Sequence, residues 1–254
     1  MSTYIESGHA KNTANFDHLI ALLLTYGTNY TPSTANLAIT NLQTVLTNAQ
    51  GALTTVKNEY NGWKNATNSR EIAFEPLKGL STRLLNTLIA VGANEQTIKD
   101  YKTLNAKVQG SKLTKADSGI VADPSEDNAN KTTLPVKKTV SVSQQSFDNL
   151  IEHYDKIIKL LASVPAYNPT ETALKVTTLQ TMLANLKTVN TGAYTSYAKV
   201  SNARIARNKI LYENPDALIV LAKAVKAYIK GKFGATSAEY GQVSSIKFVK
   251  VVKK

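Results

Sequence analysis

Apolar residues recur along this chain at spacings that alternate four and three: Ala35, Ile39, Leu42, Leu46, Ala49, Leu53, Val56, Tyr60 and Trp63. Such a seam, kept up through four heptads, belongs to a helix laid against a partner helix at a shallow left-handed crossing. The seam returns 137 residues later as Thr172, Val176, Leu179, Leu183, Leu186, Asn190, Ala193, Tyr197 and Val200. Asn190 stands where the first copy has Leu53, and a buried polar residue at a seam position fixes register. Two long helices are predicted, each entered through a capping side chain and a proline, Thr31-Pro32 and Asn168-Pro169. Uninterrupted to Pro76 and Pro215, each would hold about 42 residues and run roughly 60 Å. Gly51, Gly62 and Gly192 each weaken continuity by about 1 kcal/mol, and Gly62 is where a departure from this continuous picture would fall first.

Shorter elements flank the long ones. Phe16-Asp17-His18-Leu19-Ile20 and Phe147-Asp148-Asn149-Leu150-Ile151 each open an apolar-periodic run, with Asn15 and Ser146 as predicted caps. Gly27 ends the first of these helices, and Ser163 to Pro165 ends its counterpart. Pro76 and Pro215 start a third helix, striped by Leu77, Leu80, Leu84, Leu88 and Val91 in one copy and by Leu218, Leu221, Ala222, Val225 and Ile229 in the other. Gly92 and Gly231 are its predicted stops. A fourth helix carries Ile98, Tyr101, Leu104 and Val108, answered by Tyr240, Val243, Ile246 and Val249. The tail Ile246 to Val252 also alternates as a short strand would.

Identities at the same offset extend beyond the seam. Tyr30 pairs with Tyr167, Asn48 with Asn185, Asn65 with Asn202 and Arg70 with Arg207. After a slip of two, Pro76 pairs with Pro215 and Tyr101 with Tyr240. The predicted fold is all-α: two tandem helical repeats, 14–109 and 146–250, forming an elongated bundle about a pseudo-two-fold axis. One domain is expected over two separate bundles. Residues 110–145 make a linker with Gly110, Gly119, Pro124 and Pro135, and Thr139 to Ser143 could add a small strand.

Composition adds limits. The 254 residues are 43% hydrophobic and 19% charged, an ordinary globular balance. With no cysteine, disulfides, thiolate-ligated zinc and thiol catalysis are excluded. The polar start Met1 to Ala10 lacks the basic and apolar stretches of a signal peptide, so a cytoplasmic location is expected, with leaderless secretion left open. The longest apolar run, Leu19 to Leu24, is far short of the roughly 20 residues of a membrane span. Net charge is +12, and +9 of it lies between Lys199 and Lys254, which suits either an acidic partner or a solubilising surface.

Candidate chemistry is sparse. His9 falls in an expected frayed terminus, His18 aligns with Asn149, and Glu152-His153-Tyr154-Asp155 lacks a second histidine four residues away. No metal and no cofactor are expected. There is no G-x-S-x-G elbow and no glycine-rich phosphate loop, and the serines and threonines cluster where helix caps use them. Asp17 and Asp148 alone recur among the acids, as first-turn residues offsetting a helix dipole. Lys223, Lys226 and Lys230, followed by Lys232, lie at helical spacing and form the candidate anion- or partner-binding set, or a solvated face above a buried one. Tyrosine outnumbers phenylalanine twelve to five. Tyr60, Trp63 and Tyr197 read first as seam packing, while exposed tyrosines among Tyr4, Tyr26, Tyr30 and Tyr167 would suit a protein interface.

Ser146-Phe147-Asp148-Asn149-Leu150-Ile151-Glu152, Tyr167-Asn168-Pro169-Thr170-Glu171 and Leu179-Gln180-Thr181 resemble uncharacterised helical proteins of flavobacteria and their relatives. The resemblance implies a bacterial source and a helical fold, and brings no catalytic or ligand residues. The leading expectation is a non-enzymatic helical scaffold or interaction module that self-associates, with a second copy or another protein as partner. Two alternatives stand beside it: a basic surface for nucleic acid or an anionic membrane, and a membrane-active, pore-forming-like bundle with Leu19 to Leu24 as its foothold.

Overall fold

A computed structural model of the chain describes residues 7–110 and 145–251. The fold is all-α. Eight α-helices occur among the described residues: α1 Ser7–Thr25, α2 Ile39–Phe74, α3 Leu77–Ala90, α4 Glu95–Gln109, α5 Phe147–Ala162, α6 Val176–Asn208, α7 Leu218–Phe233 and α8 Ala238–Ser245. The expected strand at Thr139 to Ser143 and most of the 110–145 linker lie outside the described residues.

Two compact units emerge, and they are not the segments 14–109 and 146–250. The first joins residues 1–64 to 195–254; the second is 65–194. Residue 64 lies within α2 and residue 195 within α6, so each long helix gives one end to each unit. The exchange follows from where the apolar stripes find cover. Phe16, Leu19, Ile20 and Leu23 of α1 are buried with Leu218, Leu221, Ala222, Val225 and Ile229 of α7 and Val243 of α8. In the second unit Tyr154, Ile157, Ile158 and Leu161 of α5 are buried with Leu77, Leu84 and Leu88 of α3 and Tyr101 and Val108 of α4. Each unit thus sets the opening helices of one segment against the closing helices of the other. Burying each such aliphatic side chain stabilises by about 2 kcal/mol.

The seam residues divide the same way. Leu42, Leu46 and Ala49 enter the first core with half-buried Ile39, whereas Leu179, Leu183 and Leu186 enter the second with half-buried Val176. At these positions each long helix is covered by the short helices of its own unit. Leu53 is only half-buried, and Tyr60 and Tyr197 are exposed at 39% and 55%.

Both long helices start later than their prolines suggest. Tyr30 Oη donates to the Leu37 carbonyl at 2.7 Å, and Tyr167 Oη to the Leu174 carbonyl at 3.0 Å. Each bond closes a short 3₁₀ turn, Ala35–Leu37 and Thr172–Leu174, followed by an extended residue, Ala38 or Lys175. Extended dihedrals there prevent the helix from reaching back to the proline. Once started, α2 passes Gly51 and Gly62 without a break and α6 passes Gly192. Threonines along them bond their own helix, as Thr44, Thr54 and Thr181 do to carbonyls four residues earlier.

After Arg207, residues Lys209–Glu213 form a π-helical turn closed by Asn214 N–H donating to the Lys209 carbonyl. Widening the helix absorbs extra residues without losing the chain's direction. It also buries Tyr212, whose phenol meets His9 Nδ1 at 2.7 Å and accepts from Asn12 Nδ2 at 3.2 Å.

Three further expectations are corrected at helix ends. α1 starts at Ser7, so His9 is buried within it, and Asn15 and Asp17 are interior residues rather than cap and first turn. The Phe-Asp-x-Leu-Ile words therefore fall at different heights, Phe16 well inside α1 and Phe147 first in α5. The matching burial pattern pairs Phe16, Leu19, Ile20 and Leu23 with Tyr154, Ile157, Ile158 and Leu161 instead. Gly92 stops α3 with φ +73, but Gly231 lies inside α7, and Gly234 at φ +96 ends it.

α8 stops at Ser245, and the residues after it run extended across α1. Asn12 holds them as a neighbouring strand would: Nδ2 donates to the Val249 carbonyl at 2.7 Å and Oδ1 accepts from the Val249 N–H at 3.1 Å. Asn15 Nδ2 donates to the Lys247 carbonyl at 2.7 Å. The alternation seen in the sequence is kept, with Ile246 buried and Phe248 half-buried while Lys247 and Val249 are exposed. Val251 approaches Gly8 so closely that a Cβ there would sit 2.8 Å from its methyl group.

Two outcomes follow. Asn12→Ala leaves the Val249 amide and carbonyl without their partner, costing about 1–3 kcal/mol; a urea melt reads the loss, and faster hydrogen exchange at Val249 localises it. Burial pushes the phenols of Tyr30, Tyr101 and Tyr154 well above the ordinary tyrosine range, and that of Tyr167 up to about 12. The unfolded chain gives up these protons first, so stability present below pH ~10 falls as pH rises towards 12. Chemical denaturation at stepped alkaline pH should show that decline together with a delayed tyrosinate absorbance.

Candidate functional site

Of the candidate lysines of α7, Lys226 is the most engaged within its own unit. Lys226 Nζ donates to the carbonyls of Ser244 and Ile246 and lies 5.4 Å from the centre of the Phe248 ring. It thereby caps the carbonyl end of α8, where a cation is favoured, and burial lowers its pKa. Lys230 sits 5.6 Å over Tyr240, and Lys232 Nζ donates to Thr31 Oγ1 at 3.0 Å and lies 5.9 Å from Tyr228. Lys223 is exposed and has no hydrogen-bond or ion-pair partner among the described residues. Lys226 thus ties α7 to the end of α8 and the tail, while Lys223, Lys230 and Lys232 remain exposed.

In the second unit Asn190 is buried and bridges three helices. Its Nδ2 donates to Asp148 Oδ1 at 2.7 Å, and its Oδ1 accepts from Arg70 at 3.3 Å. Tyr194 Oη donates to Asp148 Oδ2 at 2.7 Å, and that acceptor holds the phenol above its usual pKa. The Arg70 guanidinium lies 4.0 Å over the Phe147 ring, which meets Phe74 edge-on at 4.8 Å. Both carboxylate oxygens of Asp148 are engaged, so this cluster locks α2, α5 and α6 in register and leaves no free base.

The histidines stay apart. His9 is buried beside Tyr212 and His18 is exposed on α1. His153 is buried in α5, where desolvation, with Lys107 nearby, lowers its pKa. No group of three metal-ligating side chains occurs among the described residues.

An aromatic cluster lies at the surface of the first unit. Trp63 lies between Tyr60 and Tyr197, each ring centre 5.6 Å from its own, in edge-on and tilted arrangements. Trp63 is half-buried while both tyrosines face solvent. Tyr60 lies on α2 and Tyr197 on α6, so the trio joins residues from both long helices. The sequence placed all three in the seam; it could not show that the seam opens here.

No family model matches the chain, and no curated protein or solved structure matches it either. Among the described residues no helix is long and apolar enough to cross a membrane.

The contrast between two lysines of one helix is testable. Lys226→Ala should cost about 1.5–3 kcal/mol, as expected for a charge-assisted bond to backbone carbonyls, and should loosen the tail. Lys223→Ala should change stability by less than about 0.5 kcal/mol. Paired thermal melts compare them directly.

Proposed function

We propose that the protein is a non-enzymatic helical scaffold, built from two copies of one ancestral unit, that associates with a second copy of itself through the Tyr60–Trp63–Tyr197 surface. The observation that carries this reading is a surface aromatic cluster on the long helices, with half-buried Trp63 flanked by two solvent-facing tyrosines. Tyrosine and tryptophan supply much of the energy of protein interfaces. A second copy would meet this patch in an isologous contact, in which both subunits use the same surface about a two-fold axis. The shared turns at Tyr30–Leu37 and Tyr167–Leu174 support the duplication. The non-enzymatic part rests on what the polar side chains are doing: Asp148, Asn190 and Lys226 spend their bonds on helix placement.

The other two readings gain less support. Nucleic acid or an anionic membrane would use the exposed Lys223, Lys230 and Lys232, but Lys226 between them is spent on the carbonyls of Ser244 and Ile246. A membrane-active bundle would need Leu19 to Leu24 to come free, yet Leu19, Ile20 and Leu23 are core residues.

Trp63 is the chain's single tryptophan, so its fluorescence reports on the proposed contact alone. Emission should shift to the blue as protein concentration rises, in step with a mass doubling by light scattering. Tyr197→Ser should weaken association by about tenfold or more without altering the circular dichroism. A monomer whose emission ignores concentration would refute the reading.

A further inference from the structure

Beside the tail lies an open groove of about 330 Å³, lined by Lys11, Asn15 and His18 of α1 and by Ser245, Ile246 and Lys247. Spacings of four and three residues put the three α1 side chains on one face of that helix, and Lys247 reaches the groove from the other wall. None of these lining residues is acidic.

What makes the groove one-sided is the use of its carbonyls. The carboxyl end of α8 would normally present negative potential here. The Ser244 and Ile246 carbonyls instead accept from Lys226, and the Lys247 carbonyl accepts from Asn15. Ser245 Oγ donates to the Gln242 carbonyl. The charged and donor groups left to the groove are two ammonium groups and an imidazole, in a unit whose sequence carries net charge +9. The wall is also held in place, because Asn12 grips Val249 through both its backbone groups, so little ordering is needed on binding.

We infer that this groove binds the phosphate group of a phosphate monoester, with Lys11 and Lys247 closing on its oxyanions from opposite walls and His18 donating alongside. Its volume is at the low end for ligand sites, about 300–1,000 Å³, which leaves room for the phosphate and a small part of its alcohol. Surface ion pairs are individually weak, so the expected affinity is modest and falls as salt screens it.

The test uses the full chain, followed by amide chemical shifts during titration with inorganic phosphate, glycerol phosphate and vesicles containing phosphatidic acid. Shifts should centre on α1 and residues 245–247. Lys11→Gln with Lys247→Gln should weaken binding about tenfold, while Lys223→Gln, an exposed lysine away from the groove, should leave it unchanged. A response to glycerol phosphate without one to vesicles assigns a soluble ester, and the reverse assigns a lipid headgroup; both uphold the phosphate site. No shifts, shifts unmoved by the double substitution, or an equal loss with Lys223→Gln would overturn it. Because both substituted lysines are exposed and lie outside the aromatic trio, association through Trp63 is read separately.

Discussion

The apolar stripe of α1 finds much of its cover outside its own half of the chain. Phe16, Leu19, Ile20 and Leu23 are all 3% exposed or less, and the surface that covers them belongs to α7 and α8, some two hundred residues away in sequence. α5 has the same need and meets it on α3 and α4. From this one requirement come the division into units at residues 64 and 195, the sorting of the seam between two cores, and the passage of each long helix from one unit to the other. The first unit can close only after nearly the whole chain is present. Such non-local contacts cost loop entropy before they repay it, and slow folding is the usual consequence.

Much of the helix content was legible because its signals are local. Periodicity located α2, α3, α4, α6 and α7, Ser146 caps α5 by accepting from the Asn149 N–H, and Gly92 ends α3 in a left-handed conformation. Pairing was not legible, since a stripe says that a helix needs cover and not which helix supplies it. The seam was read as one surface when Leu42 and Leu179 serve different cores. α1 was read too short because its first turns are polar and small, Gly8, His9, Asn12 and Thr13 among them, and look like a terminus. Those residues are buried or half-buried because the tail and Tyr212 lie on them, a contact no local pattern encodes.

The polar residues show a second limit of the sequence. Asn12, Asn190 and Lys226 are unremarkable by composition, yet each satisfies backbone or charged groups that burial would otherwise leave costly. Asn190 was singled out as the polar exception in an apolar seam, and it does sit buried among Arg70, Asp148 and α6. Lys226 was grouped with its helical neighbours by spacing alone. Its environment separates it from Lys223, because only one of them faces the open carbonyls at the end of α8.

The same carbonyls connect the candidate surfaces to the fold. α8 ends early, at Ser245, and its extended continuation must find partners for backbone groups that a longer helix would have satisfied itself. α1 and α7 provide them, from Asn12, Asn15 and Lys226. In doing so they engage the acceptors along one wall and leave Lys11, His18 and Lys247 at a groove with no acidic side chain among its described lining residues. A wall stripped of acceptors by its own structural bonds is electrostatically incomplete, and an anion is what completes it.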